Sequence, residues 1–106
     1  AQALRRADGR LLLILPPLLP GMERAFAESP QLGPLLARTR AALARWAADN
    51  GVVVIDAGRA ERYGCTSEEF VDEHHALAAC YARVFARFWS AGGKSTKLAG
   101  GLFAPD

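Results

Sequence analysis

The clearest pattern in the sequence is a pair of short, continuous hydrophobic runs separated by a segment with helical periodicity. The first run, "RLLLILPP" at residues 10–17, ends in two prolines, which cannot donate to a sheet because they lack a backbone N–H. The second run, "VVVIDAG" at residues 52–58, is rich in β-branched residues. Runs of this kind are typical of strands buried on both faces of a parallel sheet. We therefore predict two buried strands.

The segment between these strands predicts two helices, a short one near residues 22–27 and a longer one from Leu32 to Asn50. In the longer segment, apolar residues recur on one helical face. They are Leu32, Leu35, Leu36, Leu43, Trp46 and Ala47. Gly51 is a typical helix stop, since glycine readily adopts the left-handed conformation. A strand, a crossover helix and a second strand form a βαβ unit with parallel strands.

A third helical pattern runs from Glu73 to about Ala91, after a polar loop. Its apolar stripe is expected to pack against the sheet and consists of Leu77, Cys80, Tyr81, Val84, Phe85, Phe88 and Trp89. Residues 92–106 are Gly-rich and aperiodic, and they predict a flexible tail. Residues 1–9 predict the end of another helix, capped by Gly9.

Two strands are too few for a sheet that buries both faces, because doubly wound domains normally contain four or more. We therefore expect residues 1–91 to be the C-terminal βαβα portion of a three-layer, flavodoxin-like α/β domain with a parallel sheet. The missing strands would come from an N-terminal part of the same domain or from a second copy of the chain. Exposed sheet edges predict an oligomer.

Composition and charge narrow the classes of function. The chain has 106 residues, of which 51% are hydrophobic and 23% are charged, as expected for one globular domain. The net charge is only +2 and the basic residues are scattered, which argues against nucleic-acid binding. The longest apolar run, residues 11–19, is interrupted by prolines and is too short to span a bilayer. We expect no targeting segment in these residues.

Asp72 and His75 are the candidate catalytic residues. They follow the second strand, at the sheet edge where parallel α/β proteins build their sites. An aspartate bonded to one imidazole nitrogen fixes the tautomer and leaves the other nitrogen to accept a proton from a nucleophile. Alternatively, Asp72 is the N-cap of the third helix, which the spacing alone favours because aspartate caps are common. His74 is a substitute base if the helix start is displaced.

Cys65 and Cys80 define no disulfide framework and no metal spacing by themselves. Cys65, Asp72, His74 and His75 are zinc-ligand types, but a site would require the loop to fold tightly back on itself. We therefore predict that these residues do not form a metal site. Because Cys80 lies on the apolar stripe, a small buried thiol is preferred to a disulfide with Cys65.

Asp56, Arg59 and Arg62 follow the second strand closely. We interpret Asp56 as a turn residue that accepts a hydrogen bond from its own backbone. The two arginines are either contacts for an anionic substrate or ordinary surface residues.

The segment "VVVIDAGRAERYGCTSEEFVDEHHALAACYARVF", residues 52–85, resembles the end of an SGNH (GDSL-type) hydrolase domain, and the resemblance covers residues 1–91. That family carries an Asp-x-x-His block between its last strand and last helix. The match puts Asp72 in the acid position and His75 in the general-base position. The lead-in "FVD" and the earlier "RLLLILPPLLP" also resemble the family. The resemblance implies an SGNH-type fold, serine-based acyl-ester hydrolysis or acyl transfer, and no cofactor.

The resemblance is to bacterial envelope members that work alongside membrane O-acyltransferases, as in teichoic-acid alanylation and alginate acetylation. It implies an acylated saccharide or envelope polymer as substrate, a membrane O-acyltransferase as partner, and a periplasmic or cell-envelope location. One departure is clear, because these 106 residues contain neither the Gly-Asp-Ser nucleophile block nor the family's oxyanion-hole blocks. The chain alone is therefore predicted to be inactive. The alternative is a non-catalytic module that oligomerises through its sheet edges.

Overall fold

The computed structural model describes residues 11–91 and 100–105 of the chain. Within them the fold is α/β, with a three-stranded parallel sheet, a separate two-stranded hairpin and three helices. The helices are α1 (Met22–Glu28), α2 (Leu32–Asn50) and α3 (Ala78–Ser90), and the strands are β1 (Leu12–Leu15), β2 (Val53–Asp56), β3 (Phe70–Asp72), β4 (His75–Ala76) and β5 (Gly101–Phe103). Two short 3₁₀ turns, Ala60–Tyr63 and Ser67–Glu69, connect β2 to the hairpin.

The sheet has the order β1-β2-β5, and both pairings are parallel. Leu12 pairs with Val53, which in turn pairs with Gly101 on the other side of β2. Helix α2 connects β1 to β2 and ends at Gly51, whose φ of 64° is the left-handed conformation expected there. The predicted parallel βαβ unit and both of its helices are confirmed.

Strand β5 differs from the sequence prediction, which placed a flexible tail over residues 92–106. Residues 101–103 instead pair along the outer side of β2. The first of them is anchored by its N–H, which donates to the backbone oxygen of Val52 at 2.9 Å. Residues 92–99 and 106 of the tail, and the helix end expected at residues 1–9, lie outside the described residues.

Alternate residues of β2 point to opposite faces of the sheet, and each face is covered by a different helix. On one face Val54 packs with Ala47 of α2, in a cluster completed by Val52. On the other face Val53 and Ile55 belong to a larger cluster that includes Cys80, Val84 and Phe88 of α3. Both predicted helix stripes therefore pack on the sheet, although only part of each stripe is buried.

The β1 edge of the sheet is more exposed than expected for a strand that the sequence predicts to be buried on both faces. Leu12 and Leu13 of β1 are 36% and 37% exposed, because β1 pairs only with β2 among the described residues. On α2, the side chains of Leu32 and Leu35 are about half exposed and line an apolar groove next to Phe26. None of the described helices is both long and apolar enough to cross a membrane.

Helix α3 begins at Ala78, later than the predicted start at Glu73. The chain remains extended before it because Phe70 and Ala76, which pair across the hairpin, both pack against the larger core cluster. Leu77 then donates its backbone N–H to the oxygen of Glu69 at 2.7 Å, which closes the hairpin onto the preceding turn.

Candidate functional site

Asp72 and His75 face each other across a tight antiparallel hairpin rather than along a helix. They are paired residues of β3 and β4, with Glu73 and His74 forming the turn between them. The carboxylate of Asp72 accepts the backbone N–H of His74 at 3.0 Å, as in an Asx turn. The interpretation of Asp72 as a helix N-cap is wrong, since α3 begins at Ala78 and is preceded by Leu77.

The side chains of Asp72 and His75 are in direct contact. Nδ1 of His75 lies 2.7 Å from both carboxylate oxygens of Asp72. The backbone N–H of His74 and the imidazole of His75 together hold the pKa of the Asp72 carboxyl below its usual value. A neutral ring that donates from Nδ1 carries its lone pair on Nε2. The pair therefore has the arrangement in which an acid orients a general base.

His74 lies beside this pair without joining its hydrogen bond. Its Nδ1 is 3.7 Å from Oδ1 of Asp72, and its ring centroid is 4.3 Å from that of His75. All three side chains are exposed, and one ligand atom from each lies within 4.8 Å of the others. The predicted site residues are thus brought together, with His75 closer to the acid than the substitute base His74.

Backbone hydrogen bonds hold the hairpin near the carboxyl ends of β1 and β2. Leu19, in the loop that leaves β1, donates its N–H to the oxygen of Glu73 in the hairpin turn at 2.8 Å. The preceding residue, Leu18, forms a parallel bridge with Arg59 and donates to the oxygen of Gly58, both in the loop that leaves β2. The carboxyl ends of parallel strands are where α/β proteins commonly build their binding and catalytic sites.

The loop that leads into the hairpin is fixed by a disulfide between Cys65 and Cys80, whose Cα atoms are 5.2 Å apart. The preference for a buried free thiol at Cys80 was therefore wrong, although Cys80 is buried as expected and Cys65 is buried as well. The bond ties the loop to the first turn of α3. It also removes Cys65 from the set of candidate metal ligands, since a bridged sulfur is not a thiolate.

A buried ionic cluster at the same sheet edge escaped the sequence analysis. Arg40 of α2 donates from Nε to Asp56 at 2.5 Å and from Nη2 to Glu23 at 2.6 Å. Burial lowers the pKa of the Arg40 guanidinium, but its hydrogen bonds to the two carboxylates raise it by more. Asp56 also accepts the N–H of Gly58 at 3.1 Å, so its interpretation as a turn residue is correct but incomplete. The sequence did contain a signal that Arg40 is partly buried, because it lies between Leu36 and Leu43 on the apolar face of its helix.

The cluster borders a cavity of about 300 Å³. Arg59 reaches Glu23 at 3.3 Å, and Arg62 donates to the backbone oxygen of Pro105 at 3.3 Å. Tyr63 lines the same cavity and donates its hydroxyl to the backbone oxygen of Asp56 at 2.7 Å. Both carboxylates of the cluster are neutralised by arginine, so the arrangement acts as a structural support for the sheet edge.

Comparisons with protein-family models, with curated proteins and with solved structures found no match to this chain.

Proposed function

We propose that this chain supplies the acid and general base of an SGNH-type serine acyl-ester hydrolase or acyl-transfer protein. The observation that carries the proposal is the contact between Nδ1 of His75 and both oxygens of Asp72 at 2.7 Å. The contact is made in a hairpin held at the carboxyl ends of parallel strands, where such a pair can meet a substrate.

In the proposed reaction, Nε2 of His75 accepts the proton of a serine hydroxyl as the oxygen attacks an ester carbonyl. The same nitrogen then returns the proton to the leaving alcohol. Asp72 keeps the ring in the required tautomer and stabilises the imidazolium that forms. The serine and the oxyanion-hole donors come from residues outside these 106, because the sequence contains no Gly-Asp-Ser.

The proposed setting is a three-layer SGNH-type domain. Helices on opposite faces of the sheet and the partly exposed leucines of β1 support a larger sheet that continues beyond β1. An N-terminal part of the same domain or a second copy would provide the further strands. The resemblance supports an acylated saccharide or envelope polymer as substrate, a membrane O-acyltransferase as partner, and a periplasmic or cell-envelope location in a bacterium.

The test is ester turnover by the protein expressed with any coding sequence that precedes residue 1 in its gene. We expect p-nitrophenyl acetate hydrolysis and labelling by a serine-directed fluorophosphonate. Asp72→Asn should lower kcat by roughly 10⁴-fold, as in serine hydrolases that lose the triad acid. Glu73→Gln, in the same turn, is the matched control and should leave kcat unchanged. The 106-residue chain alone should be neither labelled nor active.

Two results would contradict the proposal. One is an upstream coding sequence without a Gly-Asp-Ser block. The other is an active extended protein whose turnover survives both Asp72→Asn and His75→Gln, because its base would then lie elsewhere.

A second function, a non-catalytic module that oligomerises through its sheet edge, is favoured by the partly exposed Leu12 and Leu13 of β1. In that case sedimentation at micromolar concentration should show an oligomer that Leu13→Lys converts to monomer. A monomeric wild-type chain would exclude the module.

A further inference from the structure

The tip of the hairpin carries a set of side chains that the proposed acid–base pair does not fully use. His74 is not needed to orient His75, yet its ring lies 4.3 Å from that of His75 and its Nδ1 faces the same carboxylate. Two imidazoles and one carboxylate are ligands that zinc commonly takes, with a fourth position left for water. The metal site considered from the sequence included Cys65 and would have required the loop to fold tightly back, whereas the hairpin brings Asp72, His74 and His75 together without Cys65.

The separations between the Asp72 carboxylate and each of the two imidazoles are close to those in a zinc site. Tetrahedral zinc with bonds near 2.0–2.1 Å places its ligand atoms about 3.3 Å apart. Nδ1 of His74 lies 3.7 Å from Oδ1 of Asp72, and Nδ1 of His75 lies 2.7 Å from the same oxygen. All three side chains are exposed, so rotation about their side-chain bonds can adjust both separations toward that value. The hydrogen bond from the His74 backbone already holds the carboxylate in place.

We propose that Asp72, His74 and His75 form a zinc-binding site, and that zinc bound there switches off the general base. The binding itself stands on the geometry of the turn alone. The inhibitory consequence rests on the proposed function, because it requires that His75 act as the base.

The switch follows from the proton count of an imidazole. In the pair with Asp72, neutral His75 carries its proton on Nδ1 and its lone pair on Nε2. Zinc bonds through the lone pair of Nδ1, so the proton on that nitrogen leaves to water and another from water binds Nε2. The ring remains neutral overall, but Nε2 becomes a donor and cannot accept the proton of a serine hydroxyl.

Competing ligands in the chain are few. Its two cysteines are joined in the disulfide, and its two histidines are the pair at the turn. Among the described residues, the group formed by Asp72, His74 and His75 is the one that brings metal-ligand atoms together in this way. An untagged, oxidised protein therefore gives a clean measurement.

Binding is tested by calorimetric titration of the untagged 106-residue chain with ZnCl₂ under non-reducing conditions. We expect one zinc per chain. Loss of an outer-shell partner already weakens metal sites by roughly 10–100-fold, so His74→Gln and His75→Gln should each weaken binding by at least about tenfold. Glu73→Gln, which changes the neighbouring turn residue, should not change the affinity. No heat, or an affinity unchanged in His74→Gln, would overturn the site.

The tautomer is tested on the same samples by long-range ¹H–¹⁵N NMR of labelled histidine. Without zinc, neutral His75 should carry its proton on Nδ1, and with one equivalent of ZnCl₂ it should carry it on Nε2. A zinc complex bound through Nε2 would overturn the switch. Because the zinc-free spectrum does not depend on the metal, failure of zinc to bind leaves the acid–base pair unaffected. If the zinc-free spectrum showed that neutral His75 does not carry its proton on Nδ1, that result would instead count against the proposed function.

Discussion

Two contacts between a carboxylate and a nitrogen-bearing side chain, both near the carboxyl ends of the strands, have nearly the same length and very different surroundings. Arg40 meets Asp56 at 2.5 Å, and His75 meets Asp72 at 2.7 Å. The side chain of Asp56 is 9% exposed, whereas that of Asp72 is 42% exposed. Removing one member of the buried pair strands a charge away from water, while water readily replaces a partner at the surface. Burial therefore assigns the first contact to stability and leaves the second available for chemistry.

The largest effect should come from Arg40→Met, which leaves the buried carboxylate of Asp56 without its arginine and leaves Glu23 with Arg59 alone. Breaking a buried ion pair in this way typically costs about 3–5 kcal/mol of unfolding free energy. The matched control is Arg38→Met on the exposed side of the same helix, which should change stability by no more than about 0.5 kcal/mol. Urea unfolding measures both, and equal losses would remove the distinction between the two contacts.

The disulfide should have the next largest effect, because it fastens the loop before the exposed pair to the buried core. Cys65 and Cys80 are 15 residues apart, and closing a loop of about that length is worth roughly 3 kcal/mol in the chain-entropy account. Replacing both cysteines by alanine should lower the unfolding free energy accordingly. Dithiothreitol should destabilise the wild type and leave the double variant unchanged. A variant as stable as the wild type would show that the core alone holds the loop.

The smallest effect on stability should come from the exposed pair, whose role is seen by titration instead. The Asp72 carboxyl should titrate below its usual pKa, as followed by carboxyl ¹³C NMR. His75→Gln should raise that pKa only part of the way back, because the backbone N–H of His74 is the larger cause. Since the folded pKa is depressed, the contribution to stability is present above the unfolded pKa and is lost as pH falls through the folded one. An ordinary Asp72 pKa would mean that the contact is not held in solution.

The sequence correctly predicted the helices and strands whose hydrophobic pattern and end signals lie within the segment itself. Helix α2 begins and ends at Leu32 and Asn50 as expected, since its apolar stripe and its glycine stop are both in the segment. Strands β1 and β2 were equally visible as apolar runs. Strand β5 was missed because three residues among glycines carry no periodicity, and its pairing with β2 depends on a partner far away in the sequence.

The sequence predicted that Asp72 and His75 are neighbours, but it did not predict the hairpin that brings them together. Asp72 and His75 are three positions apart, a spacing that meets on a helix and also across a two-residue turn. The extended conformation is favoured by Phe70 and Ala76, which pair across the hairpin and are partly buried against the core. Their packing depends on core residues from other parts of the chain, so it cannot be predicted from the spacing of Asp72 and His75.

The hydrogen bond that joins Leu19 to Glu73 involves backbone atoms at both ends. The position of the turn relative to the sheet therefore does not depend on the side chains at positions 19 and 73. The exception is proline at position 19, which has no N–H to donate. Variation there can reshape the surface around His75 while the ring itself stays where it is. A scaffold of this kind can change what it recognises without having to rebuild the pair that would carry out the chemistry.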